Sequence, residues 1–102
     1  MTAQVDIALD EAQLRLVRRL IDGVLPGATV AVFGSRATGR ARPFSDLDLL
    51  LIEPGALTWL QRADLRDAFE DSALPFKVDV VEADSLAAGM VQRVRAEARP
   101  LP

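Results

Sequence analysis

The sequence lacks two residue types on which much enzyme chemistry depends. Neither cysteine nor histidine occurs among its 102 residues. Their absence excludes disulfides, thiolate zinc sites and cysteine nucleophiles, together with the commonest general base and metal ligand. Any catalysis must therefore use carboxylates, hydroxyls, arginines or Lys77.

Long apolar runs and runs of basic residues are also missing. No apolar stretch approaches the roughly 20 residues needed to cross a bilayer, and the N-terminus does not have the basic-then-apolar order of a secretory signal. We therefore expect a cytoplasmic protein with no membrane partner. The net charge is −3 and the arginines are scattered, so the charge pattern predicts no direct nucleic-acid binding.

The composition is typical of one globular domain. Hydrophobic residues make up 50% of the chain and charged residues 26%, a balance that allows a chain of this length to fold around one core. No repeat or long linker divides the sequence. We expect residues 1–102 to form a single domain.

The hydrophobic pattern alternates between helical and strand periods. Capping-box patterns at Asp10 and Thr58 predict the starts of two helices, and a third is expected to begin after Asp84 or Ser85. Apolar runs predict strands at 29–33, 46–52 and 76–81, with a short helical turn or loop at 35–45 and an extended tail at 99–102. This order predicts a mixed α/β (α+β) fold in which helices cover a small sheet.

Three acidic residues stand in strands that are otherwise apolar. Asp46 and Asp48 are two residues apart, so their side chains leave one face of the second strand, with Cα atoms roughly 6.5 to 7 Å apart. If the third strand lies beside the second, Asp79 joins them. Two carboxylates about 4 Å apart repel by roughly 4 kcal/mol at an effective dielectric near 20, and a divalent cation would offset that repulsion. Such a cluster of oxygen ligands suits Mg²⁺ or Mn²⁺, and two such ions can clamp the attacking and leaving oxygens of an in-line phosphoryl displacement, although the acids alone do not specify the reaction.

A glycine and two polar residues follow the first predicted strand directly. Gly34 lets the backbone approach a phosphate closely, Ser35 adds a hydroxyl and Arg36 adds a positive charge. A lone Gly-Ser after a strand is usually a simple turn. Together with the acids downstream, it predicts a phosphate-binding segment made of Gly34, Ser35 and Arg36.

The sequence Gly-Ser-Arg-Ala-Thr-Gly at 34–39, followed by Ser-Asp-Leu-Asp-Leu at 45–49, resembles the signature of the DNA polymerase beta superfamily. It is most similar to the minimal nucleotidyltransferases (MNT) of bacteria and archaea, and the resemblance covers nearly the whole chain. It implies that Gly34 and Ser35 help hold the β and γ phosphates of a nucleotide. It also implies that Asp46 and Asp48 bind both metals, and that Asp79 completes the site and assists the attacking hydroxyl.

The resemblance also implies a biological setting. Such proteins commonly act as the antitoxin beside a helical HEPN-type ribonuclease, and some transfer AMP from ATP to a tyrosine of that partner. This chain contains no tyrosine, so tyrosine modification would have to occur on another protein. The expected function is therefore magnesium-dependent transfer of a nucleoside monophosphate to a hydroxyl of a HEPN-type toxin.

Two alternatives remain open on the sequence alone. The chain could transfer a nucleotide to a small molecule or an RNA end, or it could be an inactive module that neutralises its partner by contact. The three intact aspartates argue against the inactive module, and the lack of a basic groove or aromatic platform weakens RNA as the acceptor.

Overall fold

The computed structural model describes residues 7–102, which form helices around a four-stranded sheet. The helices are α1 (Glu11–Val24), α2 (Ser35–Thr38), α3 (Trp59–Glu70) and α4 (Ala88–Glu97), with a 3-10 turn at Ala83–Ser85. The strands are β1 (Thr29–Phe33), β2 (Leu47–Glu53), β3 (Val78–Glu82) and β4 (Arg99–Pro100). This arrangement confirms the predicted mixed α/β fold.

Both predicted capping boxes are present. The carboxylate of Asp10 accepts a hydrogen bond from the Gln13 N–H at 2.7 Å, while the Gln13 side chain accepts one from the Asp10 N–H at 3.1 Å. Thr58 and Gln61 make the same reciprocal pair at the start of α3. Each box satisfies backbone donors that the first helical turn leaves without partners. The two helix starts are therefore set locally by the sequence.

The predicted start of the last helix is wrong by two or three residues. Residues 83–85 form a 3-10 turn, and α4 follows Ala87, which makes no side-chain capping bond. The Asp84 N–H donates to the Gly55 carbonyl at 3.0 Å, so residue 84 is tied to the loop after β2. This tertiary contact overrides the local capping signal.

The sheet has the order β3-β2-β1-β4. Strands β1 and β2 are antiparallel, β2 and β3 are parallel, and the extended tail pairs with β1 as antiparallel β4. Strand β2 begins at Leu47, one residue later than predicted, and β3 begins at Val78 instead of Phe76. The Leu47 N–H donates to the Lys77 carbonyl at 2.9 Å, which joins the two strands where they begin.

The two faces of the sheet are covered unequally. Helices α1 and α3 pack over the face that carries Leu47, Leu49 and Leu51, where most of the buried residues lie. The opposite face carries a small cluster of Ala31, Leu50 and Val94, the last contributed by α4. Because strand residues alternate between faces, Asp48 and Asp79 belong to this second face. The acids thus lie beside the smaller core.

No helix within residues 7–102 is both long enough and apolar enough to cross a bilayer.

Candidate active site

The pairing of β2 with β3 brings two of the predicted acids together. In the parallel register Asp48 lies opposite Asp79, and the flanking pairs are Leu47 with Val78 and Leu49 with Val80. Neighbouring strands are about 4.8 Å apart, so the two carboxylates project side by side from one face. The condition for a shared site, adjacency of the second and third strands, is therefore met.

The end of β1 brings Gly34 to the same place. Phe33 pairs with Asp48, and Gly34 then turns the chain into α2 with φ of 73° and ψ of −155°. Only glycine adopts this region readily. A Cβ atom built on Gly34 would lie 3.2 Å from Cγ of Asp48 and closer still to Oδ2. The absence of a side chain at this position is what allows the backbone to approach the carboxylate.

The surroundings of Asp48 disfavour the charged form of its carboxyl group. Its pKa is raised, chiefly because burial penalises the charged carboxylate and then because Asp79, Asp46 and Glu97 place like charges nearby. A group in this situation is stabilised by a cation. Carboxylate oxygens are also the ligands that Mg²⁺ and Mn²⁺ prefer, so the donor set fits a hard divalent ion.

The other two acids are held more loosely. Asp46 lies exposed just before β2, and Asp79 forms an ion pair in which its Oδ1 is 3.4 Å from Nζ of Lys77. Among residues 7–102, no three acidic side chains approach closely enough in this arrangement to hold an ion together. A bound cation would have to draw the carboxylates inward and compete with Lys77 for Asp79.

Arg36 does not face the acids. The side chain is buried, and its planar guanidinium donates to the carbonyls of Ala8 at 2.6 Å and Ser45 at 2.8 Å. It also lies 4.0 Å from the ring centroid of Phe76, within the range of a cation–π contact. The nucleotide contact predicted for Arg36 stays a prediction. The geometry gives the residue a structural role, because it fixes the loop that carries Asp46 and ties that loop to the segment before α1.

Replacing Arg36 by methionine should therefore destabilise the protein. The substitution keeps most of the side-chain length but leaves partly buried carbonyls without their guanidinium donors, at an expected cost of about 2 to 4 kcal/mol in the free energy of unfolding. Urea unfolding followed by circular dichroism measures it. The exposed Arg40, in the same loop, provides the control Arg40→Met, which should change stability by less than about 0.5 kcal/mol. Equal effects of the two substitutions would contradict this assignment.

Glu97, in the last turn of α4, is a fourth acid at this site and was not predicted. Its Oε2 accepts a hydrogen bond from the Gly34 N–H at 3.3 Å, and its Oε1 lies 3.4 Å from Nε of Arg93. Nothing in the local sequence marks it, because it reaches Gly34 only through the pairing of β4 with β1. An isolated glutamate in a polar helix is usually a solvated surface residue.

Comparison with known proteins agrees with this geometry. Residues 13–102 match the profile of the nucleotidyltransferase domain family, so the chain belongs to that family and is a nucleotidyltransferase. A relative in Haemophilus influenzae named "Probable protein adenylyltransferase MntA" is 41% identical over 80 residues, which span 78% of this chain and 68% of the relative.

Two solved structures have the same fold. One, described as a candidate minimal nucleotidyltransferase, is 41% identical with a TM-score of 0.68, and the match covers 88% of this chain and 90% of that one. The other, a toxin-antitoxin structure with AMP-PNP, is 24% identical with a TM-score of 0.71, and the match covers 87% and 72% of the two chains. Within its family, the chain is a minimal nucleotidyltransferase, as the sequence motifs predicted.

Proposed function

We propose that this protein transfers AMP from ATP to a hydroxyl group of a partner protein, and that the partner is a HEPN-type toxin which the modification neutralises. The observation that carries the proposal is the pairing of Asp48 with Asp79 beside the turn at Gly34. The relative named as a protein adenylyltransferase supports the acceptor class. The reaction would take place in the cytoplasm.

The residues take the following roles in this proposal. Asp46 and Asp48 would hold two Mg²⁺ ions, for which Mn²⁺ could substitute, and Asp79 would complete the set. When bound, these ions supply positive charge for the phosphates and for the oxygens that attack and leave. Gly34 and Ser35 would hold the β and γ phosphates through the exposed backbone and the hydroxyl.

The proposed reaction moves the adenylyl group of ATP from pyrophosphate to the acceptor oxygen. The acceptor oxygen forms a bond to the α phosphorus of ATP, and the bond from that phosphorus to the bridging oxygen breaks, releasing pyrophosphate. The proton of the acceptor hydroxyl passes to the Asp79 carboxylate. The two carboxylates have different surroundings. Burial raises the pKa of Asp48, whereas Asp79 forms an ion pair with Lys77.

The surface offers room and contacts for a protein acceptor. A groove of about 380 Å³ runs between α3 and β3, and its lining residues include Phe69, Phe76 and Asp79. Large apolar residues are also exposed elsewhere: Phe44, two residues before Asp46, is 76% exposed and Trp59 is 79% exposed. Exposed apolar side chains of this size are common where proteins dock.

The test is transfer of label to the protein encoded by the neighbouring reading frame. With Mg²⁺ and ATP labelled at the α phosphate, label should appear on that partner, whereas ATP labelled at the γ phosphate should leave it unlabelled. This pair of reactions separates adenylyl transfer from phosphoryl transfer. The two proteins should also copurify. Label that appeared only on RNA or on a small metabolite, with no complex formed, would overturn the proposal.

A further inference from the structure

The N–H group of Gly34 is already engaged by a carboxylate of the same chain. Glu97 Oε2 lies 3.3 Å from the Gly34 nitrogen, and the Glu97 side chain is 23% exposed. The proposed function assigns phosphate binding to this same residue, and this inference rests on it. One N–H cannot make a full hydrogen bond to a carboxylate and to a phosphate oxygen at the same time.

The contact is built into the fold by the C-terminal strand. Strand β4 pairs with β1 through Ala31 with Pro100 and Val32 with Arg99. Continuing this antiparallel register by two residues places Glu97 opposite Gly34. Val94, one turn earlier in α4, is 1% exposed and belongs to the small core, which anchors that end of the helix. The backbone is therefore anchored on both sides of Glu97, which keeps its side chain close to the turn.

Glu97 adds a further negative charge to a site that already contains three aspartates. Together with Asp46, Asp48 and Asp79 it makes a fourth negative group around the place where a triphosphate would bind. Arg93 contacts the other oxygen of Glu97, but its own side chain is 75% exposed, so its charge is well screened by water. A triphosphate that binds here must displace the Glu97 carboxylate and must also enter a site that is already negatively charged.

We propose that Glu97 is an internal competitor of the nucleotide: its carboxylate occupies the phosphate-binding N–H of Gly34 and must move away when the triphosphate binds. Affinity for ATP is thereby set lower than the phosphate-binding turn alone would give. Glu97 is in this sense a residue that sets affinity for the triphosphate and takes no part in the transfer of AMP.

The test is the affinity of a nonhydrolysable ATP analogue, measured by calorimetry with saturating Mg²⁺. Glu97→Gln removes the charge and keeps the shape, and it should lower the dissociation constant by about tenfold. Glu97→Ala removes the acceptor as well and should lower it at least as much. Glu53→Gln makes the same change at an exposed position at the other end of β2 and should leave the affinity unchanged.

A second ligand separates this effect from a general change in charge. AMP has no β or γ phosphate, so Glu97→Gln should change its affinity much less than that of the triphosphate analogue. The proposal would be overturned if Glu97→Gln raised the affinity for both ligands equally. It would also be overturned if the variant bound the analogue as tightly as the wild type or less tightly, because weaker binding is the result expected if Glu97 itself binds the cation or the nucleotide. A wild-type protein that bound no analogue with Mg²⁺ would refute the proposed function instead.

Discussion

Asp48→Asn should reduce nucleotidyl transfer by at least about 1,000-fold while leaving the protein folded. The amide retains the size of the carboxylate but removes the charge that would bind the cation next to Asp79. Steady-state transfer with ATP labelled at the α phosphate measures the loss. The control is Asp64→Asn, the same substitution at an exposed position on α3, which should transfer at the wild-type rate.

The same substitution should make the protein without metal more stable. The pKa of Asp48 is raised in the folded state, so the folded protein binds a proton at pH values where the unfolded chain has released it. The free energy of unfolding of the wild type therefore falls as the pH rises from the ordinary carboxyl range through the raised pKa. The amide of the Asp48→Asn variant cannot ionise, so the variant lacks this loss.

Magnesium should reverse that ranking. A cation that binds only the folded state stabilises the wild type by mass action, whereas the variant has lost one ligand and gains less. Thermal unfolding in EDTA and in Mg²⁺ at several pH values measures both effects. A variant that is less stable than the wild type in EDTA, or that still transfers at the wild-type rate, would show that Asp48 is a structural acid outside the site.

The candidate carboxylates stand out in the sequence because their signal is local, and their role as metal ligands stays a prediction. Charged residues in a run such as the one from Leu47 to Ile52 are costly, and the strand period alone puts Asp46 and Asp48 on one side. The position of Asp79 needed one further condition, that β3 should lie beside β2. The structure meets this condition, with β3 as an edge strand parallel to β2.

The contacts made by Arg36 and Glu97 could not be predicted, because each joins segments that are distant in the chain. Arg36 contacts Ala8, 28 residues away, and Glu97 contacts Gly34, 63 residues away. In the local sequence, neither residue can be told apart from a solvated charged residue on a loop or helix. The predicted start of α4 was wrong for the same reason, because it depends on a hydrogen bond from the Asp84 N–H to the Gly55 carbonyl.

Gly34→Ala should damage both stability and activity, because two penalties meet at this position. The backbone at φ 73° and ψ −155° lies in a region that is essentially closed to residues with a Cβ, at a cost of about 1 to 3 kcal/mol. The new methyl group would also overlap the Asp48 carboxylate. Displacing that carboxylate by about 1 Å should lower transfer about 100-fold or more.

Gly27 separates the two penalties. It has the same φ of 73°, but a Cβ built there would meet no atom within 4 Å. Gly27→Ala should therefore lose stability through its backbone alone and transfer at the wild-type rate. In a double-mutant cycle, Asp48→Ala should recover about 1 kcal/mol of the stability lost in Gly34→Ala, since it removes the group that the methyl meets. Urea unfolding of the four proteins gives this coupling. If the two substitutions were simply additive, or if Gly34→Ala transferred as well as Gly27→Ala, the close approach of Gly34 to Asp48 would have no part in shaping the site.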